Sequence, residues 1–437
     1  MTQTITLGCR AEFAFGPYGG AELFFADIDG DGQMEVLAYQ GPAVFGAGLY
    51  RVWPKVAAAF PQSVCLSAFR KDGTRLWTYG QPNPTDRSYI CHAHESCVAT
   101  GDVNGDGVAE VALADGDRIV LLDGPTGKVR AERRLPEDNY YIVQILGQKV
   151  ACGEAALVVK NGEGGYGAWR YGEPVLGLGA DLATVWGPVA VPGGGHHIIP
   201  LDLDNTGAKE FLIGYCLVHP GGQQRCIVPG LDPATVDASS SHVDYTDILQ
   251  RSGQPPIIGF AGSDKAYLVV HGEGTRFVKP DKHVQGCAVG RFRTDSEWQM
   301  AVYNDDGPMV LYDQNGTELW RVPTQERWPL GAPRTCAGHE FHRNRPVVKL
   351  TLASRDYLLY TDGGWPWAMD GDGRIAVEFE PPANSRQPET QIPDGTRADD
   401  MGYGFGTQIV DWNGDGKPCA VVYDRRHLWM FPATKPA

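Results

Sequence analysis

The chain has 437 residues, of which 21% are charged, 42% hydrophobic and 10% aromatic, which excludes a disordered or coiled-coil polypeptide. No apolar run approaches the roughly 18 residues that a membrane-crossing helix needs. The 38 basic against 53 acidic residues give a net charge of −15, a field that repels nucleic acid and anionic membranes. An acidic substrate then requires a local basic pocket. Alternatively, many of the carboxylates are metal ligands.

Residues 1–15 lack a basic segment followed by an apolar run, so no signal peptide is expected. Either the protein is cytoplasmic, or a leader has been removed and it is secreted or periplasmic. A strand over residues 4–15 is expected. The 56 glycines and 31 prolines follow no collagen period and imply many turns between short strands.

A repeat organises the rest. Asp27-Ile28-Asp29-Gly30-Asp31-Gly32-Gln33-Met34-Glu35 leads into an apolar strand, as does Asp102-Val103-Asn104-Gly105-Asp106-Gly107-Val108-Ala109-Glu110. Looser copies begin at Asp202, with Thr206 in the fifth position, and at Asp411, with Cys419 where Glu is expected. A degenerate copy over residues 291–300 keeps the frame with Asp295 and Glu297. A second hairpin type follows several units, at Asp72-Gly73, Asp123-Gly124 through Gly127, and Asn315-Gly316. Such dipeptides favour tight hairpin turns.

The predicted unit is therefore four strands in roughly 45–55 residues, the size of a propeller blade. Inner strands are expected near residues 23, 98, 142, 196, 243, 284, 345 and 406. The fold class is all-β: one β-propeller domain over 1–437, with eight blades, or seven if one degenerate start belongs to a neighbour. The N-terminal strand is expected to complete the last blade. Long loops at 41–62, 81–95, 162–192 and 381–404 are where a rigid β scaffold carries function.

In the acidic loops, oxygens at positions 1, 3 and 5 converge on one point, and a backbone carbonyl plus the final Glu complete a hard-cation site. The expected ligands are Asp27, Asp29, Asp31, Gln33 and Glu35, and Asp102, Asn104, Asp106, Val108 and Glu110. Structural Ca2+ that stiffens the blades is expected, with no organic cofactor. Capping of the turn by Asp and Asn accounts for the same pattern. Ten cysteines without a CxxC spacing argue against structural zinc. Their even number permits disulfides, Cys91/Cys97 and Cys216/Cys226 being close in sequence, and buried thiols explain it equally.

Several of the eleven histidines precede a blade: His92 and His94, His196 and His197, His242, His283 and His339. Loops into inner strands open at one end of a propeller, so these side chains are expected to converge. Tyr166, Trp169, Arg170 and Tyr171 lie on a Gly-rich loop and suit a sugar ring and its carboxylate. Arg87, Arg334 and Arg343 supply further local positive charge.

The segment from Gly195 through His196, His197 and Asp202 to Asp204, closing with Glu210 and Ile213-Gly214-Tyr215, resembles the propeller polysaccharide lyases. Ser241-His242-Val243-Asp244 resembles the same group, which includes ulvan, rhamnogalacturonan and rhamnose–glucuronate lyases, with related propeller α-L-rhamnosidases. The resemblance implies β-elimination at a uronic acid: a cation on the C6 carboxylate, a base taking the C5 proton, and an acid protonating the C4 oxygen. It implies His94 or His92 as base or acid, Arg170 on the carboxylate, and Tyr171 or Tyr166 as the complementary group. His197, His242, Trp169 and Arg334 would contact substrate. Ulvan-type members carry a second His about twenty residues later, where this chain has Asp115 and Asp117. The expected partner is a uronate-containing polysaccharide or oligosaccharide, with neither nucleic acid nor membrane, and a monomeric chain. An α-L-rhamnosidase-type hydrolase and a non-catalytic glycan- or protein-binding propeller are the alternatives.

Overall fold

The computed structural model describes residues 4–19, 22–40, 64–82, 97–115, 118–135, 141–146, 151–161, 174–203, 209–231, 242–293, 297–304, 308–323, 348–360, 365–385, 406–424 and 426–433. Among them the regular structure is strand throughout, apart from a single 3-10 turn, and the blades are those of an eight-bladed β-propeller. Packing divides the chain into two compact units, Glu22–Asp244 on one hand and Met1–Ala21 with Tyr245–Ala437 on the other. Each unit holds four blades.

Two N-terminal strands come first, β1 (Ile5–Leu7) and β2 (Ala11–Ala14). Blade 1 follows with β3 (Glu22–Ala26), β4 (Glu35–Gln40), β5 (Cys65–Phe69) and β6 (Arg75–Gly80). Blade 2 comprises β7 (Val98–Gly101), β8 (Glu110–Asp115), β9 (Arg118–Asp123) and β10 (Val129–Arg134). Blade 3 comprises β11 (Tyr141–Ile145), β12 (Leu157–Asn161), β13 (Val175–Leu178) and β14 (Thr184–Val189). Blade 4 comprises β15 (Ile198–Leu201), β16 (Glu210–Ile213), β17 (Cys216–Val218) and β18 (Gln224–Cys226). In each, the four strands form an antiparallel meander.

Blades 5 and 6 share a six-stranded sheet: β19 (Tyr245–Arg251), β20 (Gln254–Val270), β21 (Gly274–Gly290), β22 (Gln299–Asn304), β23 (Pro308–Asp313) and β24 (Glu318–Pro323). The long β20 doubles back on itself, since the His271 N–H donates to Pro256 O at 3.0 Å. Its two arms, with β19 and the first half of β21, make blade 5. The second half of β21 opens blade 6. Blade 7 comprises β25 (Val348–Leu352), β26 (Arg355–Tyr360), β27 (Trp367–Met369) and β28 (Ile375–Phe379), and blade 8 comprises β29 (Gly406–Val410), β30 (Cys419–Tyr423), β31 (His427–Pro432) and β2.

The N-terminus differs from the single strand expected over 4–15. Only β2 completes the last blade, pairing antiparallel with β31. The chain breaks at residues 8–10, and β1 instead lies parallel to β28 as a fifth strand on blade 7.

Strand burial follows from blade stacking. The second strands β4, β8 and β12 are buried along their whole length and are apolar except toward their ends. Outer β10 is exposed at four of its six residues and fully buried at none. In unit Glu22–Asp244 one continuous core runs from Ile28 through Leu113 and Val159 to Val218.

The Gly turns recur with one hydrogen-bond pattern. Gly73 N donates to Arg70 O and Arg70 N to Thr74 O, both at 2.9 Å, and Gly316 and Asp313 repeat this at 2.9 Å. Gly73 sits at φ 85° and Gly316 at φ 80°, the left-handed conformation that closes a type I turn with a bulge. A tryptophan on the fourth strand then bonds the corresponding turn of the next blade. Trp77 Nε1 donates to Gly124 O at 2.7 Å, Trp186 to Pro220 O at 2.6 Å, and Trp320 to Gly371 O at 2.8 Å. The turn and the tryptophan thus act together to fasten one blade to its successor.

Candidate functional site

Within unit Glu22–Asp244, two segments that lead into inner strands meet: residues 193–197 before β15, and 242–244 before β19. The backbone fixes their approach. His196 N–H donates to Val243 O at 3.1 Å and Val243 N–H to Gly193 O at 3.2 Å. Gly195 sits at φ 52°, and a Cβ there would fall 1.7 Å from Val243 O, so the crossing admits only glycine.

This crossing brings three titratable side chains together. Nε2 of His196 lies 3.2 Å from Asp244 Oδ1, and Nε2 of His242 lies 3.1 Å from the same oxygen. The two rings stand edge to face, 5.3 Å apart and inclined by 77°. The exposures are 8% for His196, 7% for His242 and 0% for Asp244. Burial alone would raise the Asp244 carboxyl, but the charge of His242 and the hydrogen bonds from both rings outweigh it and hold it far below the ordinary carboxylate range. Asp244 Oδ2 is buried and accepts no hydrogen bond.

A buried cation lies alongside. Lys160, near the end of β12, is fully enclosed, and its Nζ donates to Asn161 O at 2.9 Å and to Gly195 O. Backbone carbonyls thus replace the water that this ammonium loses. Sequence reading passed over Lys160 and quoted Asp244 without giving it a role. Their signals were a lysine in an otherwise apolar strand and the His-x-Asp spacing of 242–244.

His197 is half-buried beside the group. His92, His94, Tyr166, Trp169, Arg170, Tyr171 and Arg334 lie outside the described residues, as do Arg87, Arg343, His339 and Asp117. Asp115, where the ulvan-type pattern has a histidine, is committed within its blades. Its Oδ2 takes Arg118 at 2.8 Å and the Tyr79 hydroxyl at 2.9 Å; burial, with the charge of Asp115, pushes the phenol up to about 12.

The acidic loops form a second candidate centre. In the first, Asp27 accepts Gly30 N at 2.8 Å and Gly32 N at 2.9 Å through its two oxygens, and Glu35 Oε2 accepts Ile28 N at 3.0 Å. Oxygens of Asp27, Asp29 and Glu35 lie within 4.8 Å of one another, a spacing that suits a hard cation. Asp31 Oδ1 accepts the Gln33 amide at 2.7 Å, and the Gln33 side chain accepts Lys71 Nζ at 3.1 Å.

The second loop repeats the backbone pattern. Asp102 accepts Gly105 N at 2.6 Å and Gly107 N at 2.8 Å, Asp106 accepts Val108 N at 2.9 Å, and Glu110 accepts Val103 N at 2.9 Å. Its electrostatics differ, because Glu110 Oε1 receives Arg130 and the Asn104 amide, the latter at 2.7 Å. The ninth side chain serves the loop even where the acids are missing. In the 291–300 copy it is Gln299, whose Oε1 accepts Phe292 N at 3.0 Å and Arg293 N at 3.1 Å, while Asp295 lies outside the described residues. All eight described cysteines are free thiols. Cys216 and Cys226 face each other across β17 and β18.

No protein-family model matches the chain, and no curated protein matches it. Solved structures do. A rhamnogalacturonan lyase from Bacillus licheniformis shares 13% identity, over 100% of this chain and 76% of that one, at a TM-score of 0.59. The rhamnogalacturonan lyase YesW shares 14%, over 100% and 76%, at 0.55. BamB from Moraxella catarrhalis shares 12%, over 97% of each chain, at 0.51. These likenesses establish the fold. They unite lyases with a protein not named as one, so activity has to be argued from the site.

Proposed function

We propose that the chain is a polysaccharide lyase that cleaves next to a uronic acid, with a rhamnosyl-glucuronate linkage as its substrate. The observation that carries this reading is the meeting of His196, His242 and Asp244, brought from two successive blades. The likeness in fold to two rhamnogalacturonan lyases supports the same direction.

In the proposed reaction a base takes the C5 proton of the uronate. The electron pair left behind forms the C4–C5 double bond. The C4–O bond breaks, and an acid protonates the departing oxygen. Arg170 would neutralise the C6 carboxylate and make the C5 proton more acidic. His94 or His92 would act as base or acid, with Tyr171 or Tyr166 in the complementary role. His197, Trp169 and Arg334 would hold the sugar. His242, its Nε2 on Asp244, would stiffen the loops that present His197.

We assign structural calcium to the loop of Asp27, Asp29 and Glu35, whose oxygens have the spacing and hardness for it. Asp31 and the Gln33 carbonyl would complete the set. Bound there, the ion would stiffen blade 1 and take no part in bond breaking. The Glu110 loop already has a guanidinium against its ninth side chain, so any cation there would compete with Arg130.

The test is ultraviolet absorbance of the new double bond during incubation with gum arabic, ulvan and rhamnogalacturonan. Absorbance should rise with the wild type and stop with His94→Ala or His92→Ala. Released rhamnose without absorbance would mean hydrolysis instead. No product from any uronate-containing glycan would overturn the enzyme reading.

A further inference from the structure

We infer that His196, His242 and Asp244 form a binding site for one borderline divalent transition-metal ion of the Zn2+ class. The two Nε2 atoms and Asp244 Oδ1 lie within 4.8 Å of one another, with nitrogen-to-oxygen separations of 3.2 and 3.1 Å. A tetrahedral ion with bonds of about 2.0–2.2 Å sets its ligands about 3.3 Å apart. Both nitrogen-to-oxygen separations already stand near that spacing.

The donor set agrees with the geometry. Two imidazoles and one carboxylate make a mixed nitrogen and oxygen site, which suits zinc, cobalt or iron(II) and differs from the all-oxygen Asp27 loop. The rings stand edge to face, inclined by 77°, and both bring Nε2 to the same carboxylate oxygen. Three protein ligands leave a fourth position for water or a small anion.

A second observation comes from the carboxylate. Asp244 is fully buried and its Oδ2 has no hydrogen-bond donor. An enclosed anion with an idle oxygen is costly unless a cation meets it. The buried Lys160 gives protons to Asn161 O and Gly195 O.

The scaffold is also built for the purpose. The glycine-only crossing at Gly195 and the paired backbone bonds between 193–196 and Val243 hold both histidine-bearing segments in register. Binding would move the Nε2 protons away. Each imidazole would either shift its proton to Nδ1 or release one to solvent, while the carboxylate binds as the anion. An ion here would join the segments leading into two successive blades. The inference stands whether or not the chain is a lyase, because it is read by metal uptake alone.

The experiment uses the full chain, stripped with a chelator and dialysed, with Ca2+ in excess throughout to fill the acidic loops. Co2+ is titrated first and Zn2+ second, followed by visible absorption, calorimetry and elemental analysis. The expected result is one Co2+ per chain with the intense absorption of a four-coordinate site, displaced by one Zn2+. Asp244→Asn, which keeps the shape of the side chain, and His242→Ala should each weaken binding by at least about a hundredfold, the upper end of what outer-shell changes cause. Folding of both variants is checked by circular dichroism. Wild type that takes up no stoichiometric ion overturns the inference, and so does undiminished uptake by a folded variant. The wild-type titration decides even if a variant fails to fold.

Discussion

The loops 27–35 and 102–110 share a backbone path and a set of amide hydrogen bonds, yet their ninth residues live in different surroundings. Glu35 faces Asp27, Asp29 and Asp31, and burial together with these anions raises its carboxyl above the ordinary range. Glu110 is also raised by burial, but Arg130 pulls it back. Two substitutions account for the difference. Asn104 replaces Asp29 and donates an N–H to Glu110, where Asp29 only repels. Arg130 stands three residues past the turn glycine Gly127, whereas Leu76 stands three past Gly73. The second loop therefore has a guanidinium directly on its ninth carboxylate, whereas in the first the guanidinium of Arg70 lies 3.6 Å from Asp29 and leaves Glu35 among three other acids. A motif shared by two loops is thus no guarantee of a shared ligand. The deciding residue can lie on another strand.

The two loops also share a support. A Cβ on Gly124 would fall 2.1 Å from Ala109 O and 2.4 Å from Ile28 O, so the turn that receives the Trp77 indole is wedged between them. Trp77→Ala should therefore loosen both loops at once, at a cost of about 3–5 kcal/mol in denaturant unfolding. Hydrogen exchange that rises in only one loop would break the idea of a shared support. Next in size, Glu110→Ala strands the Val103 amide and should cost about 1–3 kcal/mol in chelator. Glu35→Ala strands Ile28 but relieves repulsion among four acids, so its loss should be visibly smaller. Equal losses would mean that the surrounding charges are irrelevant.

Calcium sharpens the contrast further. Calorimetry should find one calcium ion among these two loops in the wild type, and a second in Arg130→Leu, which gives blade 2 the leucine of blade 1. At a concentration of about 100 Kd each ion would add about 2.7 kcal/mol of stability. An unchanged count in the variant would remove Arg130 from the explanation. The smallest effect is in pH. A carboxyl raised in the folded state binds its proton more tightly there than in the unfolded chain. Its stabilising contribution is complete below the ordinary glutamate value and is lost as pH rises through the raised one. In chelator, Glu35→Gln should flatten the wild-type stability profile in that window, with Glu110→Gln changing it less.

Much of the blade frame was legible because it rests on local rules. Acidic Gly loops mark the first hairpin of a blade, and a glycine turn marks the second. The strand starts at 98, 284 and 406 are found where those signals put them. The tryptophan latch was not legible, since Trp77 and Gly124 belong to different blades and no local pattern joins them. Gln299 was missed because a carboxamide was not considered for a role that needs only an acceptor. Of the buried site, the histidines stood out by type. Their meeting at Asp244 depends on Gly195 crossing Val243, which no spacing rule contains. The N-terminus failed for a related reason: residues 5–7 find a parallel partner that only the assembled blade 7 provides.

That last pairing has a consequence for how the protein is made. Unit Glu22–Asp244 is continuous in the chain, so its four blades can fold as they leave the ribosome. The strands β1 and β2 are translated before it but pair with β28 and β31, which are synthesised only after the intervening blades. Until those partners emerge they stay unpaired, exposing strand edges that other chains could capture. The risk of mispairing therefore attaches to β1 and β2, and the emergence of β28 and β31 is the step that ends it.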